Sequence, residues 1–337
     1  MCAASRDVTR GGLVAVVFHN AKRSENSTCT RLAVIDVVKG TRVWEKPLAD
    51  SVQRGLGLTV AISDTAVAAG WPGGSTAYAP STGALLWDAP TKGCAQEEHL
   101  GGRKLLTLAY CKTAAGMRFR VGERNPETGK ARWMYQVPKT EGAWLISGSP
   151  LVIGLLHSSD ALDADQILTV SDEGRTQSII DIGDDYIAGC GDTGACTNVV
   201  VTGETAYLPS DPHAFSTANS VTAFDLRTGK RLHDFKAPKL RMWRPVRADG
   251  DAVVVVEDPS GSRPARVLRL GPGAQDTEVL LRLPGDMWLN STLKGLVTPR
   301  GQESVIYEDG RLYLHLNSGY LPGEDDPEPM SLVFSNR

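Results

Sequence analysis

Short runs of alternating apolar and polar residues fill this chain, broken at close intervals by Gly, Pro, Asp and Thr. A period of two is the signature of half-buried β-strands, and the breaks are turns. No long amphipathic helical pattern occurs. One combination recurs: an apolar strand, Asp, two residues, Thr-Gly, three residues, then Trp. Its copies are Ala33-Val-Ile-Asp36-Val-Val-Lys-Gly40-Thr-Arg-Val-Trp44, Thr76-Ala-Tyr-Ala-Pro-Ser-Thr82-Gly83-Ala-Leu-Leu-Trp87, Glu123-Arg-Asn125-Pro-Glu-Thr128-Gly129-Lys-Ala-Arg-Trp133 and Val221-Thr-Ala-Phe-Asp225-Leu-Arg-Thr228-Gly229-Lys-Arg-Leu-His233. Worn copies lie around Gly174 and Gly273, and the steps from glycine to glycine are 43, 46, 45, 55 and 44 residues. A period of that size is that of a propeller blade or a solenoid unit.

Each copy predicts a hairpin. Gly takes the positive φ of a tight turn, Thr bonds the turn backbone, and Asp accepts N–H groups at the strand end. The Trp falls on the returning strand, where a flat ring packs against the next unit. Four strands a–d per unit, with the Thr-Gly turn between c and d, give seven units: 1–50, 51–92, 93–140, 141–186, 187–238, 239–286 and 287–337. Together they predict one all-β domain over residues 1–337, a seven-bladed propeller of four-stranded antiparallel blades. Its last blade ends at strand c, Met330–Ser335, without an outer strand. That open edge predicts sequence upstream of Met1 in the natural chain, or an eight-bladed ring of which this is part.

Composition adds to the picture in several places. A net charge of −3, with no basic stripe, speaks against nucleic acid as a partner. No run of about 18 apolar residues predicts a membrane span. The six cysteines fall as near neighbours, which predicts disulfides Cys2–Cys29, Cys94–Cys111 and Cys190–Cys196 and an oxidising, extracytoplasmic compartment. Met1-Cys-Ala-Ala-Ser-Arg-Asp7 has neither the basic region nor the apolar core of a signal peptide, a second reason to expect sequence upstream.

The phrase resembles the tryptophan-docking repeat of the PQQ-like β-propeller family. That is the fold of bacterial quinoprotein alcohol dehydrogenases and of non-catalytic relatives. On this resemblance Gly40, Gly83, Gly129 and Gly229 with Asp225 are turn residues, and Trp44, Trp87 and Trp133 are docking residues buried between blades. Ser178, His233 and Thr277 stand where later units would carry the ring. The catalytic members' adjacent Cys-Cys pair has no counterpart, and their calcium ligands and catalytic Asp match no motif here. The resemblance therefore implies a propeller without cofactor or metal, similar to exported actinobacterial members that are often tethered to a membrane.

Residues for chemistry are sparse. With c–d and a–b turns on one face, the b–c and d–a loops are expected to be longer and to carry function. Trp71, Trp144, Trp243 and Trp288 fall in or beside such loops and predict a stacking surface for a protein, peptide or glycan. Three acidic loops share that face: His157 to Asp165 with Asp160 and Asp163, Asp211 to His213, and Glu324 to Asp326. Asp163 and Asp165 have oxygen-ligand spacing for Ca²⁺, although solvated acidic loops are the plainer reading. No Gly-x-Ser-x-Gly and no Ser-His-acid set occur, so no catalytic residue is assigned. The expectation is a non-catalytic binding, scaffold or sensor module. A quinone-dependent oxidoreductase and a propeller hydrolase or lyase are the alternatives.

Overall fold

The structure, a computed structural model, describes residues 3–19, 29–48, 58–90, 94, 96–114, 116–158, 163–190, 196–212, 218–273, 277–285, 289–290, 293–294, 297, 304–315 and 331–335. They form twenty-seven strands in seven antiparallel sheets, each built from strands consecutive in the chain. Blade 1 is β1 (Ala3–Ala4), β2 (Leu13–Phe18), β3 (Arg31–Asp36) and β4 (Thr41–Pro47). Blade 2 is β5 (Thr59–Ile62), β6 (Val67–Trp71), β7 (Gly74–Tyr78) and β8 (Leu85–Pro90). Blade 3 is β9 (Gln96–Leu100), β10 (Leu105–Thr113), β11 (Gly116–Arg124) and β12 (Ala131–Gln136). Blade 4 is β13 (Gly142–Gly148), β14 (Leu151–Leu156), β15 (Gln166–Val170) and β16 (Thr176–Asp181). Blade 5 is β17 (Val200–Thr202), β18 (Thr205–Pro209), β19 (Ser220–Asp225) and β20 (Arg231–Lys236). Blade 6 is β21 (Trp243–Asp249), β22 (Ala252–Glu257), β23 (Arg266–Leu270) and β24 (Thr277–Arg282). Blade 7 has three strands, β25 (Ser304–Glu308), β26 (Arg311–His315) and β27 (Ser331–Ser335).

The repeated phrase folds as its chemistry demands. The turn glycines Gly40, Gly83, Gly129, Gly174 and Gly229 have φ of +66°, +67°, +67°, +74° and +72°. Side chains with a Cβ rarely adopt this left-handed region. Asp36 Oδ1 accepts the N–H of Val38 and Lys39, Asn125 Oδ1 those of Glu127 and Thr128, and Asp225 Oδ1 that of Thr228. Just before each turn the c–d pairing slips by one residue, between Val34/Ile35, Ala77/Tyr78, Glu123/Arg124 and Ala223/Phe224. Such a bulge bends the strand and re-aims the side chain that follows. In blades 1 to 3 that side chain is the tryptophan, paired across the hairpin with Val34, Ala77 or Glu123.

The chain packs as two compact units, Met1–Val152 with Val170–Arg175, and Ile153–Thr169 with Thr176–Arg337. In the first, Val17, Leu32, Val34, Ile62 and Val67 form a closed core. Trp44 donates from Nε1 to the Pro80 carbonyl at 2.6 Å, and Trp87 to that of Pro126 at 2.9 Å. Each acceptor stands three residues before the turn glycine of the next blade. Trp44 and Trp87 are buried, whereas Trp133 is half-buried. Its ring still lies over Gly174, but its N–H turns back to Glu123 in its own blade, at 3.4 Å. In the second unit Ser178 sits at the docking position, and its hydroxyl donates to the Leu226 carbonyl, three residues before Gly229. A smaller group thus keeps the hydrogen bond and gives up the stacked area. His233 and Thr277 are exposed and do not dock.

Cys94–Cys111 and Cys190–Cys196 are disulfides, and Cys29 is disulfide-bonded. Cys2, the partner predicted for it, lies outside the described residues. No helix among the described residues is long and apolar enough to cross a membrane.

Candidate functional site

The expectation that b–c loops are long holds for only part of the chain. In blade 2 the connection is the two-residue turn Pro72-Gly73, and in blade 3 residues 114–115 suffice. It is long in blade 1, at 19–30, and again from blade 4 onward, at 157–165, 210–219 and 258–265. The short turns change the role of the first predicted aromatic. Trp71 ends β6, is buried in the blade core, and lies across Gly74, where an added Cβ would come within 3.1 Å of its ring. A ring folded under its own hairpin offers no stacking surface. Trp144 lies within β13 and is half-buried. Trp243 opens β21 and is also buried, packed among Tyr207, Val221, Val253 and Val255. Trp288 lies outside the described residues.

The acidic loops hold the backbone together. Asp163 accepts the N–H of Gly189 at 2.7 Å and of Cys190 at 2.8 Å, securing the Cys190–Cys196 loop. Burial still raises its pKa, against the lowering effect of these N–H donors. Asp165 takes the backbone N–H of His157 at 2.8 Å and sits 2.7 Å from its Nδ1. With their oxygens turned to these donors, the two carboxylates are not arranged around a common cation. Among the described residues no three His, Cys, Asp or Glu gather as a metal site would need. Asp160, His213, Glu324 and Asp326 lie outside the described residues.

One cavity lies in blade 6. Its volume is about 320 Å³, and it is lined by Pro238, Arg241, Arg263, Pro264, Arg266 and Arg282. These residues come from the d–a connection before β21, the b–c connection before β23, the start of β23 and the end of β24. The cavity therefore opens at the b–c/d–a edge of its blade. Glu257, the last residue of β22, lies fully buried beneath it. Arg266 Nη2 approaches Glu257 Oε1 at 2.6 Å, and Arg241 Nε approaches the same oxygen at 3.5 Å. Trp243 Nε1 donates to Oε2 at 3.0 Å. Trp243, singled out as a contact aromatic, instead orients the carboxylate that anchors two arginines.

The electrostatics are lopsided. Burial pulls the Arg241 guanidinium below its ordinary value; Glu257 pushes it back up, while Arg266 and Arg263 lower it further. Asp258, whose carboxyl is raised by burial, accepts the Met242 N–H at 2.6 Å. Arg263 and Arg282 are exposed and have no carboxylate partner among the described residues. Four arginines thus line the cavity, two of them paired with the buried Glu257, which leaves an excess of positive charge at the mouth among the described residues. Arginine forks match planar oxyanions in two-point contact, so the chemistry available here is the capture of anionic groups.

The hairpins, their glycine turns and the sheet order define the class: this is a seven-bladed β-propeller. Within it, residues 95–235 match the family model described as outer membrane protein assembly factor BamB, so the repeats over that span are of the PQQ-like kind. Among solved structures, U3-55K is similar with a TM-score of 0.50 and 12% identity, over 98% of this chain and 94% of that one. The β-propeller domain of the Trilobed protease from Pyrococcus furiosus gives 0.49 at 12% identity, covering 92% and 90%. BamB from Moraxella catarrhalis gives 0.47 at 15% identity, covering 92% and 81%. At these identities the likeness is one of fold alone. No curated protein matches the chain.

Proposed function

We propose that the chain is a non-catalytic, extracytoplasmic binding module that holds a protein or peptide at the b–c/d–a edge of its blades. The observation that carries this reading is the arginine-lined cavity of blade 6. It stands at the edge where the longer connections lie, on a frame fixed by strands. Its groups suit holding better than turnover. Arginines stay protonated and serve poorly as proton shuttles. Both oxygens of Glu257 are engaged, one by Arg266 and Arg241 and the other by Trp243. A glycan is the less favoured ligand, because burial of Trp71 and Trp243 removes two of the aromatic faces a sugar would stack on. The disulfides support an oxidising compartment. The matched family model, described as an assembly factor, is in keeping with a protein partner.

Panning the folded chain against a random peptide phage library tests the reading. Recovery of peptides that bind in solution, and whose binding falls with charge reversals at b–c or d–a connections, is the expected result. The quinone alternative is tested in parallel by incubating with PQQ and Ca²⁺ and desalting. Quinone absorbance retained on the protein, or a library that yields no binder, would overturn the proposal.

A further inference from the structure

We infer that the blade-6 cavity is a subsite for two neighbouring carboxylates of an acidic polypeptide segment. The inference rests on the binding reading above and specifies its ligand. The cavity already shows the geometry it would use: Glu257 is received by Arg266 and Arg241 and oriented by the Trp243 N–H. That inner ion pair satisfies two of the four guanidinium groups. The outer two, on Arg263 in the b–c connection and Arg282 at the end of β24, are exposed and pair with no carboxylate among the described residues. Two anionic groups are needed to neutralise them. The space also favours a segment over a lone ion. A volume of about 320 Å³ exceeds what a single small anion fills, and Pro238 and Pro264 add apolar wall for the aliphatic part of Glu side chains. Within this arrangement Arg241, Arg266, Glu257 and Trp243 are positioning residues, and Arg263 and Arg282 make the contact.

The probe is a fluorophore-labelled hexaglutamate peptide, followed by anisotropy on the full chain at low salt. Arg263→Glu and Arg282→Glu each invert an exposed charge without touching the buried pair. Lys230→Glu makes the same charge change at the exposed turn between β19 and β20, on the other edge of a blade. Each arginine reversal is expected to weaken binding by about tenfold or more, since it removes an attraction and adds a repulsion. Lys230→Glu should change little, hexaglutamine should not bind, and all variants should keep the parent melting temperature. No hexaglutamate binding, equal loss in Lys230→Glu, or unchanged binding in both arginine variants would each overturn the assignment. Inorganic phosphate displacing the peptide at equal charge concentration would reassign the cavity to small anions and also overturn it. The two readings fail separately: library peptides that still bind both arginine variants would leave the binding module standing and remove this subsite.

Discussion

The indole of Trp87 lies flat against the turn at Gly129 in the next blade, so closely that a Cβ on that glycine would stand 2.7 Å from Trp87 Cδ2. The same ring also ties down that turn through its N–H, which donates to the Pro126 carbonyl at 2.9 Å. Glycine is thus required twice at this position. Its φ is +67°, and its missing side chain is the seat of the ring. The relation repeats at Trp44 over Gly83 and at Trp133 over Gly174. Gly40 has nearly the same φ, +66°, but a side chain there would meet no heavy atom within 4 Å.

This pair of glycines separates backbone strain from docking. Gly40→Ala should cost only the strain of a left-handed residue, about 1–2 kcal/mol. Gly129→Ala should cost that strain and also the displacement of the ring, a further 1–3 kcal/mol or so. Urea unfolding of the two variants checks it. Equal losses would mean that the ring contact contributes nothing.

Docking strength should fall along the chain with the group that docks. Trp87→Ala removes a buried ring and should cost about 3–5 kcal/mol. Ser178→Ala removes one hydroxyl from the Leu226 carbonyl and should cost about 1–3 kcal/mol. His233 is exposed and does not dock, so His233→Ala should fall within about 0.5 kcal/mol of the parent. Thermal or urea melts that rank the three differently would contradict the docking assignment.

Two neighbours on β9 should give opposing pH dependences. Burial raises the Glu98 carboxyl from 4.5 to about 7, with Arg6 pulling it back down. The folded state therefore holds that proton more tightly, so the contribution is present below pH 4.5 and is lost as pH rises towards 7. Burial lowers the His99 imidazole from 6.5 to about 3, and the charge of Arg124 lowers it further. Its contribution is present above pH 6.5 and is lost as pH falls towards 3. In the parent protein the two slopes offset each other over their common range. Glu98→Gln should expose the His99 slope, with stability rising from pH 5 to 7. His99→Gln should expose the reverse. Urea midpoints measured across that range decide the matter, and parallel profiles in the two variants would contradict both assignments.

The blades were legible because their determinants are local. Gly83, Thr82, Asn125 and Trp87 act within one hairpin or on the next, so the phrase carries its own geometry. The three-stranded seventh blade and the Cys94–Cys111 and Cys190–Cys196 pairs followed from spacing in the same way. The site was less legible. Whether Trp71 is a loop residue or a core residue depends on a turn of two residues, and a shift that small moves a ring from solvent to interior. The four arginines of the cavity form no motif. Arg241, Arg263, Arg266 and Arg282 are brought together only because β21 to β24 place two connections and two strand ends at one edge. Their recurrence at strand ends was the signal present in the sequence, but strand ends are where single-sequence reading is weakest. The hydrogen bond from Trp243 to Glu257 links the two pictures, since the predicted aromatic braces the cavity that the sequence did not reveal.

That brace makes the last prediction. Glu257 is fully buried and receives two guanidinium groups and one indole N–H. Glu257→Ala would take from Arg241, itself buried, the carboxylate that faces its Nε. Breaking a buried pair on one side costs about 3–5 kcal/mol, whereas replacing both partners with apolar residues is often nearly neutral. Glu257→Ala should therefore be severe, and the double change Glu257→Leu with Arg241→Met should recover much of the loss. The double variant should still bind anionic peptide less well than the parent, because Arg266 loses the carboxylate that aims it. Arg263→Glu and Arg282→Glu should show the opposite profile, with stability within about 0.5 kcal/mol of the parent and binding reduced. Measuring melting temperature and hexaglutamate affinity on all four variants sorts inner from outer arginines. If the double variant is no more stable than Glu257→Ala, the inner pair is not the frame of the cavity.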